Sequence, residues 1–125
     1  LALPEEWVAE GDFKVDSGRE HMQRILQLSE RPEAMVIANN YMAYGAISSL
    51  RHAGLEIPKD MAIVAFDAMD ETGLIVPRIT SINQPSYEIG RLSAEIIIRK
   101  LTKQENCKVY ENIILDPELY LGNSM

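Results

Sequence analysis

Cysteine and long apolar runs are the features this sequence has least of. Cys107 is the only cysteine in 125 residues, which excludes an internal disulfide and a cysteine-rich metal site. We therefore expect a reducing compartment, the cytoplasm. The longest apolar runs, such as residues 61–66, are far shorter than the roughly 20 residues that cross a bilayer. No basic and apolar leader is visible either, so we expect no membrane partner.

Basic residues and phosphate-binding motifs are also scarce. Twelve Lys and Arg stand against 19 Asp and Glu, a net charge of −7, so this segment is not itself a nucleic-acid-binding surface. The glycines are scattered and form no phosphate-cradling loop. His21 and His52 lie in predicted helices without a metal-ligating neighbour four residues on. The sequence therefore predicts no metal site and no cofactor.

The sequence does contain a regular alternation of strand and helix signals, at a length that suits one domain. Predicted strands cover residues 6–12, 34–38, 61–66, 80–84 and 108–116, with 119–121 as a last edge strand. The first predicted helix begins at a cap provided by Asp16 or Ser17. The second is opened by Asn39-Asn40, covers 42–53 and precedes Gly54, which suits a left-handed C-terminal cap. The third runs from 86 to 103. The short apolar runs are typical of strands buried on both faces. This order predicts an α/β fold, a parallel sheet flanked by helices on both faces.

Polar or aromatic residues follow three successive predicted strands. Phe13 comes just after the first strand, Asn39 after the second and Asp67 after the third. Ligands of open parallel sheets bind at the carboxyl ends of the strands. A carboxylate and an amide can hydrogen-bond hydroxyl groups, and an aromatic ring can cover a sugar or a purine. Asn and Asp at such positions often only cap helices or shape turns, but their coincidence at consecutive strand ends favours a binding site.

Several stretches together resemble the LacI/GalR family of bacterial transcription regulators. They occur in the family's order over nearly the whole chain: Gly11-Asp12-Phe13 with Ser17-Gly18, then residues 31–46, 50–60, 63–67, 79–85 and 87–91. The resemblance implies a periplasmic binding protein-like I fold with two lobes and an effector in the cleft. Residues 1–84 and 106–125 would belong mainly to the C-terminal lobe, and the 86–103 helix would pack on the N-terminal lobe. The resemblance also implies that the DNA-binding head and the first lobe would lie outside this chain.

The resemblance also assigns roles to individual residues. Phe13, Asn39 and Asp67 match effector-contacting positions, Gln84 a cleft position near the hinge, and Ser17 a loop position near the pocket. Tyr44, Ser48 and Ile75 match positions that form the family's dimer interface. Asn40 and Ala65 depart from the family, which usually has Asp and Gly there. The effector class stays open between a sugar, a sugar phosphate and a nucleobase.

We therefore expect a non-enzymatic, effector-sensing segment of a LacI-type repressor. A small molecule would bind between two lobes of a homodimer and change operator binding through a helix-turn-helix domain outside this chain. The alternative is a sugar-binding protein of a transport system with the same fold. A third possibility, an enzyme of flavodoxin-like topology with a phosphoacceptor at Asp67, suffers because only Asp12 offers a carboxylate at another strand end.

Overall fold

The structure, a computed structural model, describes residues 3–67, 69, 74–102 and 112–125. A short 3-10 helix (Glu5–Trp7) is followed by α1 (Val15–Leu26), β1 (Ala34–Ile37), α2 (Asn40–His52), β2 (Ala62–Phe66), β3 (Thr80–Asn83), α3 (Ser86–Thr102) and β4 (Glu118–Tyr120). Among the described helices, none is long and apolar enough to span a bilayer.

The four strands form one sheet in the order β1-β2-β3-β4. β1 pairs in parallel with β2, where Ile37 lies opposite Ala65, and β2 pairs in parallel with β3, where Phe66 lies opposite Ile82. α2 is the crossover between β1 and β2, and it packs on both strands. The predicted α/β fold with a parallel sheet is thus confirmed.

The core of the first half depends on a close approach of α1 and α2. A Cβ atom added at Gly45 would lie 1.9 Å from the carbonyl oxygen of Val15, and one at Gly18 would lie 2.1 Å from that of Met42. The two helix backbones therefore touch where both residues lack a side chain. The contact buries Met22 and Ile25 of α1 together with apolar residues of α2 and β2, among them Ala43, Ile47, Leu50 and Ile63.

Both ends of α2 are specified by the sequence, and both predicted caps are confirmed. The Asn39 side chain accepts a hydrogen bond from the Met42 amide, as expected of an N-cap residue. Gly54 has φ +73° after the helix, and its N–H donates to the Arg51 carbonyl while that of Leu55 donates to the Leu50 carbonyl. This pair of hydrogen bonds is the Schellman motif.

The first predicted strand, residues 6–12, is wrong. A 3-10 helix occupies Glu5–Trp7, and the Trp7 indole donates to the Glu30 carbonyl. The chain is extended at Val8 (φ −98°, ψ 135°), and the Arg24 guanidinium donates to the Val8 carbonyl. Within the described ranges no strand pairs with this segment. Extended backbone becomes a strand only when a neighbour bonds it.

The predicted cap of the first helix is also wrong. α1 begins at Val15 after Lys14, so Asp16 and Ser17 lie inside its first turn. Both side chains have other partners, because Asp16 pairs with Arg19 and the Ser17 hydroxyl accepts from the Asp12 amide.

The last predicted strand, residues 108–116, is not found either. Residues 108–111 lie outside the described ranges, and the described residues 112–117 form no strand. β4 confirms the predicted edge strand, shifted by one residue.

β1 is not buried on both faces, as its apolar composition predicted. Ile37 is buried and Met35 half-buried, whereas Ala34 and Val36 are exposed, Val36 by 77%. Side chains alternate between the faces of a strand, so one face of β1 packs on the core and the other is open in this chain.

The chain forms two compact units. One consists of Leu1–Asn83 with Leu119–Met125, and the other of Gln84–Glu118. In the first unit, buried Ser124 joins β2 to β3, because its hydroxyl donates to the Ile63 carbonyl (2.5 Å) and accepts from the Thr80 amide (2.8 Å). The second unit contains α3, where Arg91 pairs with Glu88 and Glu95.

Candidate functional site

Asn39 and Asp67 follow the carboxyl ends of the neighbouring parallel strands β1 and β2. Ile37 is opposite Ala65, and Asn39 and Asp67 each come two residues after this pair. Neighbouring strands lie about 4.8 Å apart. The Asp67 amide donates to the Ile82 carbonyl of β3 (2.9 Å), which fixes Asp67 where β2 ends.

The loop that carries Phe13 lies at the same end of the first unit. A Cβ atom at Gly11 would lie 2.8 Å from the Met42 sulfur and 2.8 Å from the Ser17 hydroxyl. The loop therefore packs against the first turn of α2, which begins directly after Asn39. The Phe13 side chain is 63% exposed. The structure thus brings the Phe13 loop, Asn39 and Asp67 to one end of the sheet, with the ring open to solvent.

Two of these residues have a backbone conformation that sequence reasoning missed. In the part of the chain that the structure describes, Phe13 (φ 65°) and Asp67 (φ 72°) are the non-glycine residues with positive φ. A left-handed conformation costs a non-glycine residue about 1–2 kcal/mol, and such residues concentrate at functional sites. Aspartate tolerates this region better than most residues, whereas nothing in the sequence around Phe13 signals it.

Asn39 has a structural role as well as a favourable position. Its side-chain oxygen caps α2 at the Met42 amide (3.1 Å), and its amide nitrogen donates to the Asn40 side chain (3.3 Å). The side chain is nearly buried, with the residue 9% exposed. A side-chain amide nitrogen carries two hydrogens, and the bond to Asn40 uses one of them.

Ser17 is hydrogen-bonded to the loop that carries Phe13. Its hydroxyl accepts a hydrogen bond from the Asp12 amide (3.2 Å). Asp12 in turn accepts from the Lys14 amide (3.1 Å) and forms an ion pair with the Lys14 ammonium group (2.9 Å). These contacts hold the residues directly before and after Phe13, so Ser17 helps to fix the loop that carries the aromatic ring.

The ion pair changes the ionisation of both partners. Hydrogen bonding to Lys14 holds the pKa of the Asp12 carboxyl below its ordinary value of 3.8. The same contact raises the pKa of Lys14. Both groups are exposed, and exposed ion pairs contribute little to stability. The pair therefore bears on the shape of the Phe13 loop more than on the free energy of unfolding.

Replacing Lys14 by alanine is expected to raise the pKa of Asp12. The pKa of Asp12 is depressed in the folded chain. The contribution of the Asp12–Lys14 ion pair to the order of the loop is therefore present above pH 3.8. It is lost as the pH falls through the depressed pKa of Asp12. Carbon-13 titration of the Asp12 carboxyl by NMR measures this pKa directly. Lys14→Arg, which keeps the charge, should leave the midpoint low. An unchanged midpoint in Lys14→Ala would contradict the assignment.

The other predicted residues belong to two different units. Gln84 belongs to the second unit, where its carbonyl accepts from the Ser86 amide (2.8 Å). Tyr44, Ser48 and Ile75, predicted for a dimer interface, line one cavity of about 320 Å³ with Arg51 and His52. The Tyr44 hydroxyl donates to the Met69 carbonyl. The three predicted interface residues thus line one cavity, Tyr44 and Ser48 from α2 and Ile75 from the segment before β3.

Metal chemistry finds no support at these positions. Among the residues that the structure describes, no three His, Cys, Asp or Glu side chains come together as a metal site.

Comparison with known proteins gives the family. The model of the periplasmic binding protein-like domain matches residues 1–125. The chain belongs to this family. The HTH-type transcriptional repressor PurR of Haemophilus influenzae (strain PittEE) is 36% identical over 126 residues, which cover 100% of this chain and 38% of the repressor. The chain thus spans about 38% of the length of this curated relative.

Solved structures support the same assignment. The transcriptional regulator CelR in complex with cellobiose matches 100% of this chain and 38% of its own, with 29% identity and a TM-score of 0.87. A LacI family regulator from Enterococcus faecium with bound ribose matches 91% of this chain and 41% of its own, with 26% identity and a TM-score of 0.80. The predicted periplasmic binding protein-like fold and the resemblance to LacI-type regulators are confirmed.

Proposed function

We propose that this chain is the effector-sensing part of a LacI-type transcription repressor that binds a small sugar-like molecule. The observation that carries the proposal is that Asn39 and Asp67 follow the carboxyl ends of the paired strands β1 and β2, with the Phe13 loop packed against the start of α2. The match to a repressor and to regulators with bound cellobiose and ribose supports it.

The chemistry of the three residues suits a ligand with many hydroxyl groups. A carboxylate accepts hydrogen bonds from two hydroxyl groups, and such charge-assisted bonds are the stronger kind. The exposed Phe13 ring offers an apolar face to the C–H groups of a sugar ring. The left-handed backbone at Phe13 and Asp67 is consistent with positions held for binding rather than for stability.

A second lobe outside this chain would close over the ligand. None of the residues of α3, all of which the structure describes, is buried, although its apolar residues include Ile97 (58% exposed) and Leu101 (78% exposed). We assign residues 1–84 and 106–125 mainly to the C-terminal lobe and helix 86–103 to packing on the N-terminal lobe. Gln84 would then stand near the hinge.

Signalling would follow from a shift between two lobe arrangements. A ligand changes this equilibrium only by its difference in affinity for the two arrangements. In a cytoplasmic homodimer joined through the surface of Tyr44, Ser48 and Ile75, the shift would reposition two helix-turn-helix domains outside this chain. Operator affinity and effector affinity are then coupled reciprocally.

Asp67→Asn in the full-length protein is expected to weaken effector binding about 10- to 100-fold, the loss of one charged hydrogen bond of about 1.5–3 kcal/mol. Asparagine also tolerates a left-handed backbone, so the fold should survive. Calorimetry with cellobiose, ribose and other sugars measures binding, and operator binding without sugar should stay at the wild-type level. Asp16→Asn, on the exposed side of α1, is the matched control. Equal sugar affinity in both variants would refute the site.

A further inference from the structure

The segment that follows β2 is hydrogen-bonded to α2 at two places. Met69 is buried, with 4% of the residue exposed, and its carbonyl accepts a hydrogen bond from the Tyr44 hydroxyl of α2. Farther along, the Val76 carbonyl accepts a hydrogen bond from the Arg51 guanidinium (2.7 Å). Tyr44 and Arg51 are about two helical turns apart and line the same cavity. One side of α2 therefore holds this segment both near its start and near its end.

Asp67 begins this segment with a left-handed backbone, at φ 72°. Its amide donates to the Ile82 carbonyl of β3 (2.9 Å), which holds the residue on its amino side. A non-glycine residue keeps such a conformation only where the surrounding structure holds it. Met69 comes two residues later, so its hydrogen bond with Tyr44 holds the chain on the carboxyl side of Asp67.

The same helix is bonded to the second polar residue of the candidate site. Asn39 is the N-cap of α2, and its side-chain oxygen accepts a hydrogen bond from the Met42 amide (3.1 Å). Helix α2 is thus connected to Asn39 at its first turn and, through Tyr44, to the chain that follows Asp67. One helix therefore bears on the placement of both residues.

We propose that Tyr44 is a positioning residue for effector binding, because its hydroxyl holds the turn from which Asp67 presents its carboxylate. The inference rests on the proposed function, since it assigns Tyr44 a part in the site that contains Asp67. Tyr44 acts through the Met69 carbonyl and the backbone between the two residues. A group that is already ordered costs less conformational entropy when a ligand binds. Loss of this hydrogen bond should therefore weaken binding while every binding group is still present.

Tyr44→Phe in the full-length protein removes the hydroxyl and keeps the ring. We expect cellobiose or ribose to bind about 2- to 10-fold more weakly, the effect of one neutral hydrogen bond. In the Asp67→Asn background the same substitution should have a clearly smaller effect, because both changes act on one contact. Tyr41→Phe, an exposed tyrosine of the same helix, is the matched control and should bind like the wild type. An equal loss in both Asp67 backgrounds would indicate general structural damage and would overturn the proposal.

Hydrogen exchange of the Asp67 amide tests the same role without a ligand. We expect this amide to exchange at least ~5-fold faster in Tyr44→Phe than in wild type, because the turn opens more often. The Ile63 amide, which donates to the Ser124 carbonyl from the same strand (2.8 Å), is the internal control. Unchanged exchange at Asp67, or equal acceleration at both amides, would contradict the role of Tyr44. If Asp67→Asn bound sugar as well as wild type does, the proposed function would fail, and the exchange measurement would still decide whether Tyr44 holds Asp67.

Discussion

Gly45→Ala is expected to lower the free energy of unfolding by more than about 3 kcal/mol. The added Cβ would lie 1.9 Å from the Val15 carbonyl oxygen and 2.7 Å from the Arg19 nitrogen. Both atoms belong to the backbone of α1, so no side chain can rotate away and the helix itself has to move. The movement would open the contact that buries Met22 and Ile25. Alanine's better helix propensity returns only about 1 kcal/mol.

Gly90→Ala is the matched control for this prediction. Gly90 also lies within a helix, but no described heavy atom comes within 4 Å of an added Cβ there. Only the higher helix propensity of alanine then affects stability, and the variant should be more stable than wild type by up to about 1 kcal/mol. Urea denaturation followed by circular dichroism measures both variants. Equal stability of Gly45→Ala and wild type would show that α1 and α2 do not touch as described.

Ser124→Ala is expected to lower the free energy of unfolding by about 2–6 kcal/mol, because each buried donor or acceptor left unpaired costs about 1–3 kcal/mol. The substitution leaves two such groups, the Ile63 carbonyl and the Thr80 amide. Ser124 is fully buried, so water does not reach them without a structural change. The change should appear as a lower denaturation midpoint at an unaltered m-value.

Ser93→Ala serves as the control for Ser124, since Ser93 is an exposed residue of α3. Exposed substitutions of this kind usually stay within about 0.5 kcal/mol of wild type. If Ser124→Ala also stayed within that range, the hydroxyl would not join β2 to β3.

Local signals account for most of the fold that the sequence predicted. The apolar runs that became β1 and β2 and the two caps of α2, Asn39 and Gly54, were recognised because they depend on neighbours close in sequence. The segment 6–12 was misjudged because an extended backbone needs a partner strand from elsewhere. The exposure of Val36 was missed for a related reason. The apolar character of a residue does not indicate which part of the protein, if any, packs against it.

The sequence predicted the edge of the sheet at which the candidate residues lie, and fewer of their contacts. The rule that parallel strands present their carboxyl ends at one edge applies to Asn39 and Asp67, because both follow strands that pair in parallel. Their role in binding stays a prediction. The two interpretations of Asn39, helix cap and site residue, turned out to be compatible, because its oxygen caps α2 while its nitrogen donates to Asn40. The hydrogen bond between the Asp12 amide and the Ser17 hydroxyl could be found only in the structure. The two residues are five positions apart in sequence, and no sequence pattern indicates such a bond.

The left-handed residues set thermostability against ligand response. Glycine at position 13 or 67 would relieve a backbone penalty of about 1–2 kcal/mol, but it would delete the ring or the carboxylate. A library of variants selected only for heat resistance would therefore accumulate glycine at these two positions. Such variants would lose the side chains proposed to bind the effector. Screening for switching would retain phenylalanine and aspartate despite the penalty, a trade-off that engineers of this scaffold would meet at once.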